Sequence, residues 1–478
     1  NEFEVPMYWW SNIAVPEEET SRVIVPAVSC YRYTYKEEKE IFPVPVINGI
    51  DLSYPANFKN ASDMFYLIEP GRQPWITIID REGAGLIQTS SLFLKGRKLF
   101  VWGMSQGGRN WQEFLSIKGS PYIEIQAGIT HTQSEYIQMP AGAEWSWLEA
   151  YGLIEISPEK AHSKDWEIAY NTVDSELKKM LPLDKLDEKL SETRTISYRR
   201  PDEIIQYGSG WGALERIRRE HKGLKPLPAS FAFDDGSLEK EQMQWLKLLK
   251  EGELPYAPPV EKIYGWMTQK EWCEILEKSV REGKSDHWLS WLHLGVMYYS
   301  QGNFDKARTS WEKSISKEPS LWAYRNLAVL AQKEGDMKNA EGLMKEAWKL
   351  SIATEDGLII RSISTEYCKL LIDAGKGVKA LEFINGLPEE ISKTGRIKLL
   401  EAHAALQADE LQKVESFFKD APVIPDIREG ENFLTELWFE MHTRRIAKEK
   451  NIPVDDKLRK RVRGTFPPPS WADFRQST

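Results

Sequence analysis

Short runs of Val, Ile, Tyr, Phe and Trp, broken by Pro, Gly and Asn, extend from Glu2 to about Ile156. VPMYWW, SRVIVPA, PWITIID, GLIQTS and KLFVWG are of strand length, and no helix-length apolar period interrupts them, so this stretch predicts a large antiparallel β-sandwich. In YIEIQAG a period of two sets Tyr122, Glu124 and Gln126 on one face and Ile123, Ile125 and Ala127 on the other. The isoleucine face is the predicted core, which leaves a polar row outside. Val5, Met7 and Trp9 already alternate at the start, so the sandwich is expected to be N-terminally incomplete. Residues 1–156 are assigned to it.

From Ser157 the spacing becomes helical. DWEIAYNTVDSELKKML, DKLDEKL and GSGWGALERIRREH carry charged faces, and a short helical pattern at Ser237 to Leu249 lies among Pro226, Pro228, Pro255, Pro258 and Pro259. Residues 157–262 are therefore expected to form a helical, Pro-rich connector that packs on its neighbours. Beyond it, Trp291 aligns with Tyr324, Leu294 with Leu327, Gly302 with Gly335 and Ala307 with Ala340, each 33 positions apart. A period of about 34 with a large residue, a turn Gly and a small Ala is the signature of tetratricopeptide repeats. Two clear units and two looser ones, YCKLLIDAGKGVKALEFINGLP and IKLLEAHAALQADELQKVESFF, predict an α-helical solenoid over 263–451. The tail, 452–478, ends in FPPPSWADFRQST, whose Trp471 and Phe474 are placed to pin it onto another domain.

Length, at 478 residues, allows two or three domains. A net charge of −9 with interspersed signs argues against nucleic acid and against a polybasic membrane patch as partners. No long apolar run is present. Cys30, Cys273 and Cys368 have neither metal spacing nor an even count, so a reducing, cytoplasmic setting is expected, with no metal and no cofactor. No serine-hydrolase elbow and no His-Glu-x-x-His helix occurs, and the glycines of SQGGRN lack a Walker lysine and read as a turn.

The densest chemistry lies in Trp111–Gly152. Glycoside hydrolysis needs two carboxyls about 5–5.5 Å or about 6.5–9.5 Å apart, and sugar epimerisation needs an acid and a base. Glu124, Glu113 and Glu149 are the candidate carboxyls for either reaction, with His131 a candidate acid partner near neutral pH. Tyr122, Gln126, Trp111 and Gln133 are candidate substrate-binding groups, rings for sugar C–H faces and amides for hydroxyls. Each has a plain alternative: the acids can bond neighbouring turns, His131 can be structural, and Trp145 and Trp147 read as core. Glu17, Glu18 and Glu19 read as a charged turn.

The motifs YWWSNIAVPEEE, GRKLFVWGMSQGGRNWQEFLS, YIEIQAGITHTQSE and SWLEAYG, with helical repeats and an FPPPSWADFR tail, resemble a bacterial family of uncharacterised proteins. In that family a domain of unknown function related to the galactose mutarotase-like β-supersandwich precedes tetratricopeptide repeats. The resemblance covers nearly the whole chain and implies a further β-rich half upstream and a carbohydrate ligand. The expected protein thus combines a mutarotase-like supersandwich with an α-solenoid and acts on a carbohydrate, by hydrolysis or epimerisation. The rival expectation is a non-catalytic scaffold whose repeat groove holds a peptide or partner helix. The repeats can equally brace the sandwich or a homo-oligomer, and the sequence leaves these open.

Overall fold

The computed structural model describes residues 3–33 and 38–476. They divide into two units, one of Asn1–Ser197, Arg428–Phe439 and Arg463–Thr478, the other of Tyr198–Ile427 and Glu440–Val462.

The strands of the first unit are β1 (Val5–Met7), β2 (Trp10–Pro16), β3 (Arg22–Ile24), β4 (Ala27–Tyr33), β5 (Lys39–Pro43), β6 (Val46–Ile47), β7 (Ile50–Asp51), β8 (Ser62–Ile68), β9 (Trp75–Ile79), β10 (Ala84–Ser90), β11 (Gly96–Val101), β12 (Tyr122–Gly128), β13 (Ile137–Met139) and β14 (Glu149–Glu155). Six form one sheet, in the order β2-β12-β11-β8-β4-β5, and four a second, β14-β10-β9-β3. Val15, Leu99, Ile123 and Ile125 of the larger sheet share one core with Ile76, Ile78, Ile87 and Ile154 of the smaller. The antiparallel register sets Glu124 beside Ala14 and Phe100, and Gln126 beside Asn12 and Lys98. Alternation along β12 therefore points its isoleucines inward and its polar row outward, as the period of two predicts.

Two features differ from the sequence expectation. A helix, α1 (Gln106–Leu115), interrupts the β region, and Gly107 and Gly108 open it instead of forming a turn. Ser105 caps it by accepting from the Gly108 amide at 3.2 Å. A Cβ on Gly107 would lie 2.0 Å from the Arg475 carbonyl oxygen, so the glycine is needed for close approach of the chain's end. Few apolar residues occur in this helix, which hides it from a periodicity search.

The second difference is that the first unit runs on to Ser197. After α2 (Pro158–Ala161), helix α3 (Trp166–Met180) buries Trp166, Ala169, Tyr170, Val173 and Leu177 in the sheet core, and α4 (Leu183–Arg194) follows. Trp75 donates to Asp174 of α3 at 3.2 Å, and Trp166 donates to the Ala27 carbonyl at 2.8 Å. Buried Arg22 on β3 completes the attachment, its guanidinium donating to the carbonyls of Ala161 and Ser163 at 2.8 and 2.7 Å. The end of the tail, from Arg463, is held in the same unit. Trp111 donates to the Phe474 carbonyl at 2.9 Å, the two rings meet edge to face at 5.1 Å, and Thr435 donates to the Ala472 carbonyl at 2.7 Å.

In the second unit, α5 (Gly210–Lys222), α6 (Lys240–Glu251) and α7 (Lys270–Arg281) precede helix pairs α8 (Trp288–Ser300) with α9 (Phe304–Lys317), α10 (Leu321–Lys333) with α11 (Met337–Ile352), and α12 (Gly357–Asp373) with α13 (Gly377–Asn385). The short α14 (Glu389–Ser392) leads to a fourth pair, α15 (Gly395–Gln407) with α16 (Leu411–Asp420). Gly302, Gly335 and Gly375 end the first helix of three pairs at φ 77°, 83° and 70°, a left-handed conformation that glycine adopts without a Cβ clash. Ala307, Ala340 and Ala380 are fully buried where paired helices cross. The latter part of the expected connector, from Tyr198, belongs to this unit's core, since Leu214 and Trp245 cluster with Trp288, Leu292 and Leu327.

Candidate functional site

On the outer face of the six-stranded sheet, Glu124 accepts from the Asn12 amide at 2.7 Å and from the Gln126 amide at 2.9 Å. The Gln133 amide donates to Gln126 at 2.5 Å, and Lys98 donates to Gln133 at 2.5 Å while pairing with Asp63 at 2.5 Å. The Lys98 side chain is buried, with its ammonium 5.3 Å from the ring centres of both Phe65 and Phe100. Glu124, Gln126 and Gln133 are thus brought together, along with Asn12, Lys98 and Asp63, which sequence reading missed. The register carried a signal for them, because Asn12, Gln126 and Lys98 form one row across three strands. Tyr122 heads the same strand, its ring edge-on to Trp102 at 6.3 Å, and burial raises its hydroxyl pKa.

The other candidates lie elsewhere. Glu149 starts β14 in the four-stranded sheet and accepts from Ser11 at 2.6 Å and from Gln88 and Tyr151 at 2.9 Å each. Its partner Ser11 and Glu124's partner Asn12 are consecutive on β2, so their side chains leave opposite faces. The two acids therefore stand on opposite sides of that strand. Glu113 is exposed on α1. Trp111 is fully buried, with its N–H committed to Phe474, so it packs and offers no ring face to a sugar. His131 lies in the bend after β12, where burial lowers its pKa.

In the second unit, the first helices of three consecutive pairs line a groove of about 530 Å³. Val296 and Tyr299 come from α8, Trp322, Arg325 and Val329 from α10, and Leu358, Ile359 and Glu366 from α12. Lys262 and Trp266 close it from the segment ahead of α7. Leu358 is 66% exposed and Trp266 44%. Arg325 and Glu366 bond each other through two contacts, at 2.9 and 3.0 Å. Val296 and Val329 are one repeat period apart, which is the sequence signal for this wall; Trp266 lies outside the repeats and has no such signal.

A family model described as a domain of unknown function, DUF5107, matches residues 1–143, and a tetratricopeptide repeat model matches residues 288–321. The β unit and the helical repeats follow one another in that same order. Among solved structures, a TPR-domain containing protein from Parabacteroides distasonis is similar with a TM-score of 0.53 at 14% identity, over 96% of this chain and 68% of that chain. A tetratricopeptide repeat protein from Parabacteroides merdae matches over 40% of this chain and 76% of its own, at 18% identity and a TM-score of 0.30. At 14% identity the first likeness is one of fold. No helix among the described residues is long and apolar enough to cross a membrane.

Proposed function

We propose that this chain is an interaction protein that holds a segment of a partner protein in the groove across α8, α10 and α12. The observation that carries this reading is the pair of exposed apolar side chains, Leu358 and Trp266, bordering a cavity built from three successive repeats. Stacked repeats create such continuous concave surfaces, and an exposed apolar rim gains about 1.5–3 kcal/mol for each large side chain that docking buries. The test compares proteins that co-purify with the full chain and with Leu358→Lys, after circular dichroism shows equal helicity. A partner whose recovery falls about tenfold with the substituted chain supports the groove, since a loss of about 1.4 kcal/mol suffices. A partner set unchanged by the substitution removes it.

A second reading, carbohydrate binding, is favoured by the outward Asn12, Glu124 and Gln133, held in place by buried Gln126, beside the rings of Phe100 and Tyr122. Amides and a carboxylate can bond sugar hydroxyls while ring edges pack on C–H groups. Hydrolysis by Glu124 with Glu149 has no geometric support, because the two acids leave opposite faces of β2's neighbourhood. Titration calorimetry with neutral mono- and oligosaccharides is expected to give heat that Asn12→Ala, at an exposed position, abolishes. No heat with any of them would exclude this second reading.

A further inference from the structure

We propose that the carbohydrate met by the outer face of the six-stranded sheet is an amino sugar, whose ammonium group pairs with Glu124. This rests on the carbohydrate reading given above and names the class of sugar that the face takes. Both amides that hold Glu124, from Asn12 at 2.7 Å and from Gln126 at 2.9 Å, donate to the same oxygen, Oε2. Oε1 is left without a donor among the described residues, on a residue that is only partly buried. Neutral amides orient the carboxylate and leave its charge in place.

The other charges on this face cancel or stand away from Glu124. The register sets Glu124, Phe100 and Asp63 in one row across β12, β11 and β8. Asp63 is neutralised by buried Lys98 at 2.5 Å, and Glu135 by Lys39 of the edge strand β5 at 2.7 Å. Burial lowers the pKa of His131, so it brings no cation near neutral pH. Exposed Lys95 precedes Phe100 by a stretch of extended chain about 16 Å long. Towards Tyr122 the surroundings are more negative still, since the charges acting on its hydroxyl are those of Glu124 and Glu429. A sugar hydroxyl would make a neutral bond to Oε1, whereas an ammonium makes a charge-assisted one, roughly twice as strong. A uronic acid would set a second carboxylate against Glu124 and is disfavoured. The neighbouring groups suit the sugar ring in each case: Asn12 keeps its amide oxygen for a hydroxyl, and the rings of Phe100 and Tyr122 can pack on C–H groups.

The test is titration calorimetry of the full chain at about pH 6.5, where the sugar amine is charged. Mono- and oligosaccharides of the gluco and galacto series are compared, each as the amino sugar, the neutral sugar and the uronic acid. The amino sugar is expected to bind about fivefold more tightly than its neutral counterpart at low salt, the scale of a single exposed ion pair. Salt should shrink that advantage, because it screens exposed charges. Glu124→Gln, which keeps an acceptor oxygen, should remove the advantage and leave the neutral sugar's affinity in place. An amino sugar that binds no tighter than its neutral counterpart, or an advantage that survives Glu124→Gln, overturns this inference and leaves carbohydrate binding standing. Heat from none of the sugars removes the carbohydrate reading itself and the inference with it.

Discussion

Arg97→Leu is expected to destabilise the β unit by about 2–4 kcal/mol, the scale of losing hydrogen bonds donated by a buried charged group. Arg97 projects from β11 into the space between the sheets and is fully buried. It donates to the carbonyls of Leu94, Gly96 and Pro74 at 3.2, 2.8 and 2.9 Å and to the Ser90 hydroxyl at 2.5 Å. One side chain thus ties the end of the six-stranded sheet to the strand entry of the four-stranded one. Leucine would take a donor from each of these groups, at about 1–3 kcal/mol for a buried acceptor left unpaired, while the Pro74 carbonyl keeps the Thr89 hydroxyl at 3.0 Å and the Ser90 amide at 3.2 Å. Arg97→Lys keeps the charge but not the fork, so an intermediate loss is expected. Hydrogen exchange read on peptides from β11 and β12 isolates this unit's opening, because tryptophans occur throughout the chain. Protection equal to wild type in the Leu variant would show that the core does not depend on this network.

The helical unit is expected to lose stability as the pH falls from 6.5 to about 5, by about 2 kcal/mol for each of two buried histidines. His293, fully buried on the apolar helix α8, sits edge-on to Trp245 and Trp266 at 4.9 and 5.3 Å, and neither ring nitrogen has a hydrogen-bond partner among the described residues. Burial denies its imidazolium water and, with a smaller push from His287, holds the pKa down at about 3, from an ordinary 6.5. His442 is lowered to about 4, first by burial and then by Arg445, which donates to it at 2.8 Å. Below pH 6.5 the unfolded chain takes up protons that the folded chain refuses, so stability is complete above that value and declines towards each folded pKa. Carboxylates with lowered pKa, such as Glu215 and Glu341, lose their contribution only as pH falls below their ordinary 4.5, outside this window. Urea midpoints at pH 6.5 and about 5 should therefore differ, and His293→Leu, of similar volume, should remove about half the difference. An unchanged pH dependence in that variant would contradict the assignment.

Legibility from sequence followed the range of the interactions involved. The inward isoleucines of β12 and the repeat glycines were readable because alternation and a fixed period are local. Helix α1 was not, since its glycines serve contacts with Arg475 and Trp102 that no local pattern reports. Trp111 could not be told from a sugar platform, because its buried state depends on Phe474, 363 residues further along the chain. Sequence alone left Glu113, Glu124 and Glu149 as unplaced candidate carboxyls. The sheet order puts β12 and β14 in different sheets and separates the acids. The groove, too, needed the fold: Val296 and Val329 follow the repeat period, but Lys262 and Trp266 reach it from outside the repeats.

Docking of a partner segment in this groove is tested most directly by a photo-reactive benzoylphenylalanine placed at Ser362, which is exposed on the groove wall, with Lys345, exposed on α11, as the control position. Cross-linking to a partner is expected from position 362, absent from 345, and lost when Leu358→Lys is added. Equal cross-linking from both positions, or cross-links at 362 that survive Leu358→Lys, would contradict the account.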